Sequence, residues 1–253
     1  MGWFRRIFQS AKIVWAFTTS LTELVIKRPA GRRERAAWLT KFCRKVLRTA
    51  GVTWSVNGPV PDAGAVITNH LTYLDILVHA ALRPCVFVSA IETRRMPLIG
   101  WISMMAGTVY VTRGAGGSAA KAAGGMEAGF HDGLPVVFFP EGGTSVGDQT
   151  LLPLRSGLLA AALDAGAPIT AGYLRYKLSP NDLAMGKSTR NDVHWGTQTL
   201  PAHLWNFLGL HAVHADIHFA PQSITFSPAA LGDRKVAAQE AERALLQLAG
   251  SAP

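Results

Sequence analysis

From residue 52 onward, short runs of apolar and β-branched residues alternate with longer stretches that have the spacing of amphipathic helices. The short runs predict strands at residues 52–56, 65–68, 85–89, 108–112, 135–139, 169–173 and 213–219. The longer stretches predict helices at residues 74–82, 98–105, 118–131, 157–165 and 235–248. Such alternation predicts an α/β fold, with a largely parallel or mixed sheet flanked by helices. Residues 177–212 have no clear pattern, and we assign them neither an element nor a role.

The N-terminal segment is predicted to form two further helices, at about residues 3–25 and 33–49, separated by a Pro-Ala-Gly break. Aromatic side chains lie among the cations of the first helix: Trp3, Phe4, Phe8 and Trp15. Its longest uncharged stretch, 13–22, is too short to span a bilayer, which requires about 20 apolar residues. We therefore predict a membrane-docking amphipathic hairpin at residues 1–50, followed by an α/β domain at 51–253. An ordinary helix packed on the core is the alternative for the first segment.

The positive charge of the chain is concentrated in this hairpin. Residues 1–48 contain 12 Lys and Arg residues against Glu23 and Glu34, a net charge of +10, whereas the whole chain carries +9. Clustered cations attract anionic lipid headgroups, and they also suit nucleic acid. The rest of the chain is nearly neutral and has no motif that reads nucleic acid. We expect an anionic membrane surface and no nucleic acid as partner, although a solvated basic face is also consistent with the charge.

The cysteine content gives no sign of a disulfide framework or a metal site. Cys43 and Cys85 are the two cysteines, and no CxxC pair occurs. No cluster of His, Cys, Asp and Glu has the spacing of metal ligands. The N-terminus has no compact apolar run that ends in a signal-peptidase site. We expect a reducing compartment and a peripheral or monotopic protein on the cytoplasmic face of a membrane, without a metal.

One candidate catalytic pair lies directly after the strand predicted at 65–68. His70 follows that strand, and Asp75 lies in the first turns of the next helix. This spacing lets the carboxylate reach one imidazole nitrogen and leaves the other free to take a proton from a hydroxyl. Most His and Asp residues five positions apart are incidental neighbours, so the pair alone carries little information.

Two more motifs lie at the ends of other predicted strands. Glu141 and Gly142 follow the strand at 135–139, and a carboxylate directly after a buried strand needs a partner. Arg113 follows the strand at 108–112, before a glycine-rich turn and a helix, which suits a phosphate site. In isolation, an ordinary strand-to-turn junction explains Glu141 and Gly142 equally well, and a surface arginine in a turn explains Arg113 better than a phosphate site does.

Taken together and in this order, the three motifs resemble the glycerolipid acyltransferase (PlsC-type) family. Asn69-His70-x4-Asp75 matches its first block, N-H-x4-D, while 107–113 and 139–142 are similar to its second and third. Residues 167–173 look like the fourth block, so the resemblance covers about residues 50–175. The chain departs from the family at Gly143, where Thr is common, and at Thr144, where many relatives carry Arg. This departure leaves room for an acceptor without phosphate, such as lyso-ornithine lipid.

The resemblance implies roles for individual residues. His70 would be the general base that deprotonates a lysolipid hydroxyl, and Asp75 would orient it. The hydroxyl, on an acceptor like 1-acylglycerol-3-phosphate, would attack the thioester of acyl-CoA or acyl-carrier protein directly. Arg113 would hold an anionic headgroup, and Glu141, Gly142 and Thr144 would shape the acceptor site. The resemblance implies no cofactor beyond the thioester co-substrate, and no metal.

Two other classes of function compete with this one. A lipid esterase would need a nucleophile, but no G-x-S-x-G motif occurs, and Ser145 and Ser156 have no local signature. A non-catalytic membrane-binding protein could use the basic hairpin, but it would have no need of His70 paired with Asp75.

Overall fold

A seven-stranded sheet forms the centre of the protein in a computed structural model that describes residues 2–112, 118–145, 147 and 150–251. Its strands are β1 Val52–Asn57, β2 Ala65–Thr68, β3 Val86–Ala90, β4 Val109–Val111, β5 Val136–Phe138, β6 Ile169–Leu178 and β7 Val213–Phe219. Their order in the sheet is β1-β7-β6-β2-β5-β3-β4. Neighbouring strands pair in parallel except β6 and β7, which are antiparallel. The predicted α/β fold with a mixed sheet is confirmed.

Helices cover both faces of this sheet. Those before β4 are α1 Gly2–Lys27, α2 Arg32–Thr49, α3 Leu74–Leu82 and α4 Ile99–Met105, with a 3₁₀ helix at Ile91–Arg95. Those after β4 are α5 Ser118–His131, α6 Ser156–Asp164, α7 Pro180–Ala184, α8 Thr189–Asp192, α9 Leu200–Phe207, α10 Pro228–Gly232 and α11 Arg234–Ser251. Short helices therefore occupy much of the segment to which the sequence assigned no element.

The pleat of the central strands divides the core into two layers. Val66 and Val137 pack in one cluster with side chains of α2, α3 and α9. Their strand neighbours Ile67 and Phe138 pack in the other, with side chains of α5, α6 and α11. Since successive strand residues point to opposite faces, strands buried on both sides must be apolar at every position, as β2 and β5 nearly are.

Strand β6 is longer than the sequence suggested. It was predicted to end at residue 173, but it continues to Leu178 and pairs with β7 over seven residues, from Gly172 opposite Phe219 to Leu178 opposite Val213. Buried Leu174, Tyr176 and Leu178 alternate along this extension. The polar residues between them interrupt the apolar run, and the antiparallel partner strand is distant in sequence. The local sequence pattern therefore predicted a strand that was too short.

The two N-terminal helices differ in their exposure. Eight of the 18 residues of α2 are buried, and they pack toward α3 and the sheet. In contrast, α1 keeps a stripe of large apolar side chains on its outer surface: Trp3, Phe4, Ile7, Phe8, Val14, Trp15, Val25 and Ile26. Among the described helices, none combines the length and hydropathy needed to cross a membrane. The division into a hairpin and a domain at residue 50 stays a prediction.

Candidate active site

The first and third motifs meet because their strands are neighbours. β2 and β5 run in parallel, with Ala65 opposite Val136 and Ile67 opposite Phe138. Both chains therefore leave the sheet at the same edge, where α/β proteins usually bind ligands. The β2 chain continues into Asn69 and His70 before α3 begins, and the β5 chain continues into the turn that contains Glu141.

His70 and Asp75 form a direct pair at this edge. The Nδ1 atom of His70 lies 2.7 Å from Oδ2 of Asp75. The same oxygen accepts hydrogen bonds from the backbone N–H groups of Leu71 (2.6 Å) and Thr72 (3.0 Å). Asp75 lies in the first turn of α3 and is fully buried. Because these donors stabilise a carboxylate, Asp75 can fix the orientation and tautomer of the imidazole.

Tyr176 supplies a further donor to Asp75 from the far end of β6. Its hydroxyl donates to Oδ1 of Asp75 over 2.7 Å. Burial, and secondly the charge of Asp75, raise the pKa of the Tyr176 phenol well above its usual value. The phenol therefore stays protonated and remains a donor. The sequence analysis missed Tyr176 because it ended the strand three residues earlier. The alternation of apolar residues at 174, 176 and 178 is the signal that could have extended it.

The imidazole ring of His70 also packs against an aromatic side chain. The rings of His70 and Phe139 stack, with centroids 4.1 Å apart and an angle of 15° between their planes. The His70 side chain is 17% exposed. Within the described part of the chain, its Nε2 atom has no hydrogen-bond partner. One nitrogen of a firmly held imidazole is therefore free for a substrate, as a general base requires.

Glu141 connects the two motifs. Its Oε1 atom accepts from the backbone N–H of His70, and Oε2 accepts from that of Leu152, each over 2.7 Å. Burial raises the pKa of Glu141, while these hydrogen bonds oppose the shift. Ser145 adds a second link, since its N–H donates to the carbonyl of His70 over 2.7 Å. One carboxylate oxygen thus holds the backbone of His70, and the other ties the turn at Glu141 to Leu152.

Gly142 and Thr144 lie in the same turn. Gly142 has φ +63°, and a Cβ there would lie 2.5 Å from Nε of Arg155. The hydroxyl of Thr144 donates to the carbonyl of Trp195 over 2.5 Å, and the N–H of Trp195 donates to the carbonyl of Leu71 over 2.8 Å. The segment between β6 and β7 therefore ties both active-site turns together, a role that its sequence did not indicate.

Asn69 anchors the His70 turn to β6. Its amide oxygen accepts from the N–H of Leu174 over 2.7 Å, and its amide nitrogen donates to the carbonyl of the same residue over 2.9 Å. This pair replaces a strand–strand hydrogen bond just beyond the end of β2. The motif match drew attention to Asn69, but its partner lies 105 residues away and could not be found from the sequence.

Arg113 lies outside the described residues, so its expected role in headgroup binding stays a prediction. The described residues before this gap end at 112, one residue beyond the pairing of Ala90 with Val111. The described residues include no group of three or more His, Cys, Asp and Glu side chains placed to hold a metal ion.

The whole architecture matches that of a solved acyltransferase. The crystal structure of the 1-acyl-sn-glycerophosphate acyltransferase PlsC from Thermotoga maritima superposes with a TM-score of 0.65 over the full length of both chains, at 17% identity. At this identity the match establishes the fold alone. The profile described as Acyltransferase matches residues 52–174, which contain the β2, β5 and α3 positions of the site.

Sequence relatives establish the family. A 1-acyl-sn-glycerol-3-phosphate acyltransferase from Neisseria meningitidis is 30% identical over 70% of this chain and 68% of its own length. The chain therefore belongs to the acyltransferase family. A lyso-ornithine lipid O-acyltransferase from Rhodobacter capsulatus is 34% identical over 62% of this chain, which spans 60% of that relative. The family likeness suggested by the motifs is thus confirmed, and it includes relatives named for two different acceptors.

Proposed function

We propose that the protein is a lysolipid O-acyltransferase in which His70 acts as the general base. The observation that carries this proposal is the geometry of His70, whose Nδ1 is bound to a fully buried Asp75 while Nε2 has no partner among the described residues. Membership of the acyltransferase family supports the same reaction. The donor is a fatty acyl thioester of coenzyme A or acyl-carrier protein.

The reaction needs only a proton relay and a positioned hydroxyl. Nε2 of His70 takes the proton of the acceptor hydroxyl as its oxygen attacks the thioester carbonyl carbon. The carbon–sulfur bond then breaks, an ester forms, and the leaving thiolate takes the proton from His70. The Asp75 carboxylate stabilises the imidazolium formed between these steps. No covalent acyl-enzyme is required, so a serine nucleophile has no part in the reaction.

Lyso-ornithine lipid is the second acceptor to be tested, beside 1-acylglycerol-3-phosphate. The Rhodobacter capsulatus relative is named for it. At position 144 the chain also carries Thr, whose hydroxyl is bound to the carbonyl of Trp195. A hydroxyl engaged in this way cannot replace a guanidinium as a phosphate ligand.

The acceptor and product are lipids, so the reaction is proposed to take place at a membrane surface. The exposed apolar stripe of α1 and the cations of the hairpin support this location. Contact through the outer face of α1 would place the protein on the membrane without crossing it.

The test is a comparison of wild type with His70→Ala and Asp75→Asn. Each protein is given acyl-CoA or acyl-acyl-carrier protein with a panel of lysolipids, and products are identified by mass spectrometry. Wild type should form the diacyl lipid and release thiol together, and His70→Ala should lose at least about a thousandfold in kcat. Circular dichroism and thermal unfolding must show that the variants fold. Full turnover by folded His70→Ala would refute the general base, and free fatty acid without acceptor would indicate an esterase.

A further inference from the structure

A single arginine side chain passes over the active-site turn. Gly142 follows Glu141 directly, and a Cβ built on Gly142 would meet the Arg155 side chain, with Nε at 2.5 Å, Cδ at 2.6 Å and Cζ at 3.3 Å. The guanidinium group thus crosses the space that any larger residue at 142 would fill. Arg155 directly precedes α6, and the sequence analysis did not single it out.

The backbone holds Arg155 in this place. Its N–H donates to the carbonyl of Pro140 over 2.8 Å, and three residues earlier the N–H of Leu152 donates to Glu141 over 2.7 Å. Residues 152–155 therefore run alongside the turn at 140–142. Glu141 also binds the backbone N–H of His70, so Arg155 and the proposed general base are both held by the turn at 140–142.

The charge of Arg155 is not used by the fold. Within the described residues no hydrogen bond or salt bridge involves its guanidinium, and the residue is exposed. Other arginines of the chain are engaged: Arg5 donates to the carbonyls of Leu210 and His211, and Arg44 donates to those of Ala81 and Leu82. A guanidinium group beside an active-site turn, with its N–H donors not used within the protein, is suited to bind an anionic group that has two or more oxygens.

The two carboxylates of the candidate site, Glu141 and Asp75, do not compete for Arg155. Both oxygens of Glu141 are bound to backbone N–H groups, and both oxygens of Asp75 have their own donors. The two buried acids would repel an anionic headgroup unless a cation stood close to it. An exposed cation next to Gly142 meets this requirement.

We propose that Arg155 binds the anionic headgroup of the lysolipid acceptor, a phosphate or a carboxylate, through its guanidinium. This role rests on the proposed function and deepens it by assigning the residue that selects a charged acceptor. Gly142 serves the same purpose, because its lack of a side chain lets the guanidinium reach across the turn. Both phosphate monoesters and amino-acid carboxylates present the paired oxygens that the fork binds, so the experiment must separate them.

The experiment measures KM and kcat of Arg155→Gln and Arg155→Lys with three acceptors of equal acyl chain: 1-acylglycerol-3-phosphate, lyso-ornithine lipid and uncharged monoacylglycerol. For the anionic acceptor that wild type prefers, Arg155→Gln should raise KM about ten- to hundredfold with kcat changed much less. Arg155→Lys should raise KM less than Arg155→Gln does, because lysine keeps the positive charge but lacks the paired N–H donors of the guanidinium. Turnover of monoacylglycerol should stay unchanged. Which anionic acceptor responds identifies phosphate or carboxylate as the ligand.

Arg234→Gln is the matched control. Arg234 is exposed and begins α11, and none of the described hydrogen bonds of the active-site turns involves it. Its loss should therefore change no acceptor KM. An equal loss by Arg155→Gln for charged and uncharged acceptors, a rise in KM for acyl-CoA instead, or no change at all would overturn the proposal. In each case activity dependent on His70 would leave the general-base assignment standing, whereas wild type inactive toward every acceptor would overturn both.

Discussion

At the scale of single residues, the site depends on how completely Asp75 is held. One oxygen binds His70 and two backbone N–H groups, and the other binds the hydroxyl of Tyr176. A buried carboxylate with donors on both oxygens cannot rotate away from the imidazole. The position of His70 is thus determined partly by a residue that follows it by more than a hundred positions.

Tyr176→Phe should lower kcat about tenfold to a hundredfold and change the acceptor KM little. The substitution removes one hydrogen bond to a charged group, worth about 1.5–3 kcal/mol, and keeps the ring that fills the core. Tyr176 acts through Asp75, so the pH dependence of kcat should also shift. Steady-state kinetics from pH 6 to 9 measure both effects. Tyr173→Phe, in the same strand on the opposite face, is the control, and equal kcat in both variants would contradict the role of Tyr176.

A second buried residue, His79, is expected to make the stability of the fold depend on pH. Its Nε2 lies 3.0 Å from the hydroxyl of Thr68, and its ring contacts Phe139 edge-on. Burial lowers the pKa of His79 from 6.5 to about 4; the charge of Asp75 opposes this shift, and His70 adds to it. The folded protein therefore holds a neutral imidazole at pH values where the unfolded chain binds a proton. Stability due to this residue is full above pH 6.5 and is lost as the pH falls toward 4.

His79→Gln should flatten this pH dependence. Between pH 7.5 and pH 5, wild type should lose about 2 kcal/mol more of its unfolding free energy than the variant, because glutamine does not titrate. Glutamine can still bind the hydroxyl of Thr68, so the cost at pH 7.5 should be small. Urea unfolding at the two pH values gives the difference. Parallel losses in the two proteins would show that other groups cause the acid sensitivity.

At the scale of elements, α1 is amphipathic, but most of its large apolar side chains lie on the exposed face and not on the buried one. Its few buried side chains include Ala16 and Leu24, whereas Phe4, Phe8 and Trp15 are 81%, 64% and 70% exposed. Not all of its cations are free, because Arg5 binds the carbonyls of Leu210 and His211. An aromatic stripe that the fold leaves uncovered is costly in water and favourable at a lipid interface.

The triple variant Phe4→Ser, Phe8→Ser and Trp15→Ser should lose binding to vesicles of mixed zwitterionic and anionic lipid. Removing three exposed aromatic side chains should weaken the partition by at least about a hundredfold. Its melting temperature should change by only a few degrees, since these side chains make few contacts within the protein. Vesicle sedimentation measures binding, and Thr18→Ser with Thr22→Ser is a control on the same helix. Undiminished sedimentation would show that α1 is not the anchor.

At the scale of the whole molecule, the N-terminal hairpin is part of the core. The buried side chains of α2 include Trp38, Phe42 and Leu47, and they share one cluster with Val78 of α3 and Leu174 of β6. Burying these three side chains together with Leu39 and Val46 stabilises the protein by about 10 kcal/mol, which is comparable to the total stability of a domain. The hairpin and the sheet thus depend on each other for folding.

Deletion of residues 1–50 should abolish cooperative unfolding. The truncated chain exposes the surface of α3 that α2 covers, including the backbone carbonyls of Ala81 and Leu82 that Arg44 binds. We expect low solubility and strong binding of a hydrophobic dye, measured beside the full chain by calorimetry and fluorescence. A sharp transition in the truncated protein would mean that the α/β part folds alone. Because truncation damages the fold, substitutions on the surface of α1 test membrane binding more cleanly.

Much of the architecture was predictable from sequence. The strands at 52–56, 65–68 and 213–219 and the helix at 74–82 match the structure to within a residue, because buried elements of a parallel sheet are apolar runs with clear ends. The sequence placed the His70 and Glu141 motifs at strand ends, but their adjacency depends on β2 and β5 being neighbours in the sheet, which the structure shows. The roles expected for Arg113, Glu141, Gly142 and Thr144 toward the substrate stay predictions.

By itself, the sequence determined the strands and the longer helices, and it indicated that Asp75 can reach His70, since local hydrogen bonding and periodicity act over a few residues. Only the tertiary structure decided which distant groups hold them: Tyr176 on Asp75, Leu174 on Asn69, Trp195 on Thr144 and Arg155 across Gly142. The physical reason is that these contacts depend on strand order, on the antiparallel pairing of β7 with β6, and on how the loop after β5 folds back on the turn at 140–142. Those features arise from packing of the whole chain, and no local pattern encodes the distance between two residues a hundred positions apart.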